Sequence, residues 1–113
     1  MNSKLPKCQG AEATWTNCVG EVTRPSGLRF AGEFRDGKPS QGTALFPNGD
    51  KYVGEFRDGT PHGKGEMWWT TPDGRMRYVG SWSEGERHGR GTLYRADGTI
   101  LASGTWRKNQ FVG

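Results

Sequence analysis

The sequence predicts an all-β fold: an elongated, twisted, single-layer antiparallel β-meander of consecutive hairpins with a disulfide-clamped N-terminal cap. Three observations predict it. Glycines recur in register, with Gly32, Gly54, Gly80 and Gly104 standing 22, 26 and 24 residues apart. Aromatic residues flank these glycines at two positions, with Phe30, Tyr52 and Tyr78 before them and Phe34, Phe56, Trp82 and Trp106 after them. Around each glycine the residue types alternate with period two, as in Tyr52/Gly54/Phe56 against Val53/Glu55/Arg57, which is the pattern of a strand with two different faces. Composition agrees: only 31% of the 113 residues are hydrophobic, while 12% are aromatic and 19 are Gly. That is too few aliphatic residues for a two-layer core and too many aromatic ones for a disordered chain.

Residues 1–18 form a leader and cap. The leader, 1–7, ends at Pro6; residues 8–18 lie between Cys8 and Cys18. A bridge over so short a loop contributes about 2–3 kcal/mol; the alternative is two free thiols in a reducing compartment. Trp15 is expected to cover the open end of the first repeat, since a terminal repeat must hide its exposed face. Met1-Asn2-Ser3-Lys4 does not read as a signal peptide, and no apolar stretch approaches the length of a membrane helix. Two locations follow: cytoplasmic if the cysteines are free, or periplasmic or secreted as a mature chain whose signal peptide is not in this sequence. The cysteines favour the second.

Residues 19–113 form the meander, with units near 19–29, 30–51, 52–77 and 78–101 and a partial unit at 102–113. A second glycine column, Gly20, Gly42, Gly65 and Gly91, opens each returning strand. A third, Gly27, Gly49, Gly74 and Gly98, follows Ser, Asn or Asp and marks the turn into the next unit. Strands are expected near 20–24, 29–35, 42–46, 51–57, 64–69, 76–82, 91–95 and 100–107, with Asp58-Gly59 to His62-Gly63 as a glycine-rich connection.

The pattern Tyr-x-Gly-Glu-Phe/Trp-x-x-Gly-x-x-His-Gly-x-Gly resembles the MORN (membrane occupation and recognition nexus) repeat. Tyr52 to Gly65 matches it almost fully, and Tyr78 to Gly91 matches with Ser81 in place of Glu. Phe30 to Gly42 departs at Ser40, which replaces His, and 102–113 carries Ala102 and Thr105 at the Tyr and Glu positions. The opening segment, with Cys8, Trp15 and Cys18, is similar to the start of some exported bacterial MORN proteins. The resemblance implies an antiparallel meander whose groove is lined by the aromatic and glycine columns.

For function, the sequence excludes more than it assigns. The net charge of +4 is interspersed with acids, so no basic run suggests nucleic acid. Two cysteines and two distant histidines give no metal-ligand spacing, and no cofactor motif is present. His62 and His88 occupy equivalent repeat positions without a nucleophile or orienting acid in reach; they are expected to close their hairpin loops by hydrogen bonds. The chain therefore reads as a non-enzymatic scaffold that binds a protein or peptide, or a second copy of itself as a homodimer, through Phe30, Phe34, Tyr52, Phe56, Trp68, Trp69, Tyr78, Trp82 and Trp106. Trp68 and Trp69 sit in a lengthened hairpin and should face opposite ways. The alternatives are a peripheral binder of anionic lipid head groups through Arg35, Arg57, Lys64, Arg90 and Arg107, and a regulatory segment of an enzyme whose catalytic domain lies elsewhere.

Overall fold

Four tight turns of one kind set the spacing of the molecule. Asp36-Gly37, Asp58-Gly59, Glu84-Gly85 and Lys108-Asn109 all take left-handed φ values, from 47° to 82°. This is the two-residue geometry whose twist matches that of the flanking strands. In the computed structural model, which describes residues 4–113, these turns, the longer loops 24–28, 46–50 and 95–99 and the two-residue turn Pro72-Asp73 join one antiparallel sheet. Among the described residues its nine strands lie in sequence order: β1 Cys18–Thr23, β2 Arg29–Arg35, β3 Lys38–Leu45, β4 Lys51–Arg57, β5 Thr60–Thr71, β6 Gly74–Ser83, β7 Glu86–Tyr94, β8 Ile100–Arg107 and β9 Gln110–Phe111. Eight intervals of about 4.8 Å account for most of the long axis, in a molecule measuring 45 × 26 × 24 Å. Residues 1–3 of the expected leader lie outside the described residues.

The all-β meander is as the sequence predicts, but the returning strands begin earlier, at Lys38, Thr60 and Glu86. The connection expected over Asp58-Gly59 to His62-Gly63 takes only two residues, Asp58 and Gly59. Gly63 (φ 88°) and Gly89 (φ 93°) are not in loops; they lie in strands beside register shifts between Gly54/Phe56 and Gly80/Trp82. Each shift is a bulge that adds residues to the returning strand and sharpens the local twist. His62, Lys64, His88 and Arg90 therefore project from strands.

One face of the sheet is a continuous layer of rings. Phe34, Phe30, Phe56, Tyr52, Trp82, Tyr78 and Trp106 meet edge to face in that order, with centroids 5.0–5.3 Å apart. This geometry places a positive ring edge against a negative ring face, worth about 0.5–1.5 kcal/mol per pair beyond area burial. The layer fits because glycine pairs with glycine beneath it across every interval from β1 to β8. A Cβ at Gly65 would run into the Tyr52 ring, and one at Gly91 into the Tyr78 ring. Indole Nε1 of Trp82 donates to Gly65 O (3.2 Å) and that of Trp106 to Gly91 O (3.0 Å). Burial of the phenols, and for Tyr52 the nearby Glu55 charge, pushes both tyrosine pKa values up.

The carbonyl after the central glycine of each repeat takes a donor from outside the strand ladder. Tyr52 Oη donates to Glu55 O (2.8 Å) and Tyr78 Oη to Ser81 O (3.1 Å). Phe30 has no hydroxyl, and Ser40 Oγ donates to Glu33 O instead (3.2 Å). In the last repeat Ala102 has no ring at all, and Val112 N donates to Thr105 O (2.9 Å).

Substitute rings close both ends of the layer. At the first end Trp15 packs edge-on against Phe34 at 4.9 Å and lies over Gly20. It is held there by Nε1 donating to Gly10 O and by its own carbonyl accepting from Gly37 N. Cys8 is bonded to Cys18, and Lys7 bridges Val19 in parallel. Arg24 donates two bonds to Glu12 (2.9 and 2.6 Å), which holds the Glu12 carboxyl below its usual range. At the other end Phe111 folds back onto Trp106 at 5.3 Å and comes against Gly104, where a ring at position 102 would otherwise lie.

Candidate partner-binding site

The aromatic residues expected to line a groove divide into two groups. Tyr52 and Tyr78 are fully buried, Phe34 is 1% exposed, and Phe30, Trp82 and Trp106 are also buried. These six satisfy one another and present almost no surface to a partner. Phe56, Trp68 and Trp69 keep part of their surface exposed. Trp69 joins the ring face, packed beside the layer with Met67, Phe46 and Leu28.

Trp68 points to the opposite face, as alternation along β5 requires. Its cross-strand neighbours are Lys51 on β4 and Arg77 on β6, and Lys51 Nζ lies 5.1 Å from the indole centroid. The register extends this contact in both directions: Arg29 opposes Leu45, Leu45 opposes Lys51, and Arg77 opposes Tyr94. The Arg77 guanidinium lies 4.4 Å from the Tyr94 ring centroid. One cross-strand row therefore crosses six strands in the order Arg29, Leu45, Lys51, Trp68, Arg77, Tyr94, alternating base and apolar group. The acids Glu21 and Glu66 stand one row away and contact Arg29 (3.3 Å) and Arg77 (3.6 Å). Sequence reasoning missed this row, although the glycine columns encode it: its bases stand three residues before Gly32, Gly54 and Gly80, and its apolar members three residues after Gly42, Gly65 and Gly91.

The five expected lipid-binding bases are all exposed. Arg35, Arg57 and Arg107 flank the tight turns. Lys64 is beside an acid, since Glu55 Oε1 accepts from its backbone N at 2.7 Å. Glu33 and Glu55 line the same 440 Å³ hollow as Arg35 and Arg57, so that surface carries mixed charge. Of the histidines, His62 Nδ1 accepts from Glu84 N (3.4 Å) and so reaches the next hairpin's turn rather than its own loop; His88 is exposed.

Arg87 was also missed. It stands opposite Trp82, where the two earlier repeats place Pro39 and Pro61. Its guanidinium lies 5.3–5.9 Å from the Trp69, Tyr78 and Trp106 centroids, and burial lowers its pKa. Backbone and side chain together exchange three hydrogen bonds with Asn109, tying β7 to the last turn.

The MORN-repeat family model matches residues 30–51, 52–71 and 78–100, together more than half of the chain. The chain belongs to the MORN-repeat family. A comparison with curated proteins returned no match. MORN repeats in general are modules for interaction with proteins or lipids. Among the described residues no helix is long and apolar enough to cross a membrane, and no group of three or more His, Cys, Asp or Glu gathers to hold a metal. The disulfide is compatible with an oxidising compartment.

Proposed function

We propose that this MORN-repeat protein is a non-enzymatic binding module that takes a protein or peptide partner at the β5–β6 hairpin. One observation carries the reading. This is the longest hairpin, and it offers a half-buried tryptophan on each face, while Phe30, Phe34, Tyr52, Tyr78, Trp82 and Trp106 are buried against one another. Trp and Arg concentrated at one place are the composition of binding hot spots, and a rigid support lowers the ordering cost of association. Phe30, Phe34, Tyr52, Tyr78, Trp82 and Trp106 then act as the support, and Trp68, Trp69 and Phe56 make the contact. Lipid binding through Arg35, Arg57, Lys64, Arg90 and Arg107 is the weaker reading, because Glu33 and Glu55 line the same hollow as Arg35 and Arg57.

The test is selection of a displayed random peptide library on the wild-type protein, with Trp68→Ala and Trp69→Ala as counter-targets. Peptides that lose binding to at least one variant are expected. Failure to enrich any peptide, or enrichment only of peptides that bind both variants as well as the wild type, would remove the proposal.

A further inference from the structure

Resting on that reading of Trp68, we infer that the row Arg29–Leu45–Lys51–Trp68–Arg77–Tyr94 is a docking track for an acidic, proline-rich segment in the polyproline II conformation. The row has a repeat length. Its bases fall on every second strand, β2, β4 and β6, and are therefore about 9.6 Å apart at about 4.8 Å per strand. Its apolar groups fall at the same interval on β3, β5 and β7. A polyproline II helix returns to the same face every third residue, about 9.3 Å at about 3.1 Å per residue. An extended strand repeats a face at about 6.7 Å, and an α-helix returns to one face every seven residues, about 10.5 Å. Of the three, polyproline II has the period closest to the nominal spacing of the row.

Charge selects the occupant further. The row holds three bases and no acid, so it calls for a carboxylate at every third residue of the partner, with an intervening proline over Leu45, Trp68 or Tyr94. The ion pairs with Glu21 and Glu66 are solvent-exposed on both sides, a class that contributes little and re-forms readily. Lys51 and Arg77 lie against the rings of Trp68 and Tyr94, so charge and apolar surface are presented side by side. Six strands span about 24 Å, which nine polyproline II residues cover.

The probe is a fluorescein-labelled nonapeptide of three Glu-Pro-Pro repeats, read by anisotropy. Its comparisons are three Gln-Pro-Pro repeats and an isomer with the three Glu bunched at one end. Both comparisons are expected to bind about tenfold more weakly or worse, and Trp68→Ala, Lys51→Glu and Arg77→Glu should each weaken the Glu-Pro-Pro peptide about tenfold or more. Val112→Ala, an exposed residue at the far end of the sheet, should leave its binding unchanged. Equal binding of the bunched isomer would overturn the register match. Phosphatidylserine–phosphatidylcholine vesicles that bind through the same residues, with the two acidic peptides indistinguishable, would make the face a membrane surface and also overturn it. If no peptide of the set binds while library-selected ligands still depend on Trp68, this inference falls and the hairpin reading stands; if neither depends on Trp68 or Trp69, both fall.

Discussion

Replacing Gly91 with alanine should unfold a large part of the protein's stability margin, for a reason confined to one contact. The new Cβ would stand 2.6 Å from Tyr78 Cε2 and closer still to Cζ and Oη. The ring has nowhere to retreat. It is fully buried, flanked edge-on by Trp82 at 5.2 Å and Trp106 at 5.3 Å, and tied by its hydroxyl to Ser81 O. Gly91 does not have a left-handed φ, so backbone strain adds nothing and the cost is steric. Expelling the ring forfeits an aromatic side chain's burial, about 3–5 kcal/mol, against a total that for such domains is about 5–15 kcal/mol. In urea the midpoint should fall by about 2–3 M at a slope of about 1.5 kcal/mol/M. The decisive measurement is the double-mutant cycle with Tyr78→Ala. If the clash is the cause, Gly91→Ala adds little once the ring is gone, and the coupling energy reaches about 3 kcal/mol. A Gly91→Ala cost below about 1 kcal/mol, or additive single effects, would refute the account of why glycine pairs run beneath the rings.

Reduction of Cys8–Cys18 reopens a ten-residue separation and should lower Tm by about 10 °C, from about 2–3 kcal/mol of restored chain entropy; scans with and without a phosphine reductant measure it. Tyr52 and Tyr78 have raised pKa values in the folded state, so above the unfolded value near 10 the unfolded chain binds fewer protons than the native one. Stability is therefore full below that pH and falls as pH rises through it, by at most about 1.4 kcal/mol per pH unit per tyrosine; urea titrations between pH 9 and 11 should show the slope, and it should be smaller in Tyr52→Phe. Phe111→Ala should cost about 1 kcal/mol and speed hydrogen exchange at Val112, whose N–H now donates to Thr105 O. In an Ala102→Tyr background that cost should largely vanish, because the restored ring takes the place over Gly104.

The ring layer was legible because its residues recur in register, and a column repeated four times outweighs any single propensity. Turn length was not, because Gly63 and Gly89 carry the residue signature of a loop while serving bulges inside strands. Ser40 looks in the sequence like a defect at the histidine position; its hydroxyl in fact replaces the one that Phe30 lacks. Phe111 replaces the ring missing at Ala102 from nine residues downstream, a compensation between columns that matching within columns cannot detect. The row through Trp68 could have been counted from the glycines, but only once strand register was fixed, since a one-residue slip moves every member to the other face.

Because the strands lie in chain order, the two ends of the described chain sit at opposite ends of the long axis, and the ladder hydrogen bonds point along that axis. Tension between the ends would therefore load those bonds one row at a time instead of shearing many together. The molecule should yield under low force in discrete steps, each releasing one hairpin of about 23 residues, or about 80 Å of contour. The cystine removes the first loop from that extension. A partner seated across six strands would staple the rows together, so occupancy would be felt as stiffness.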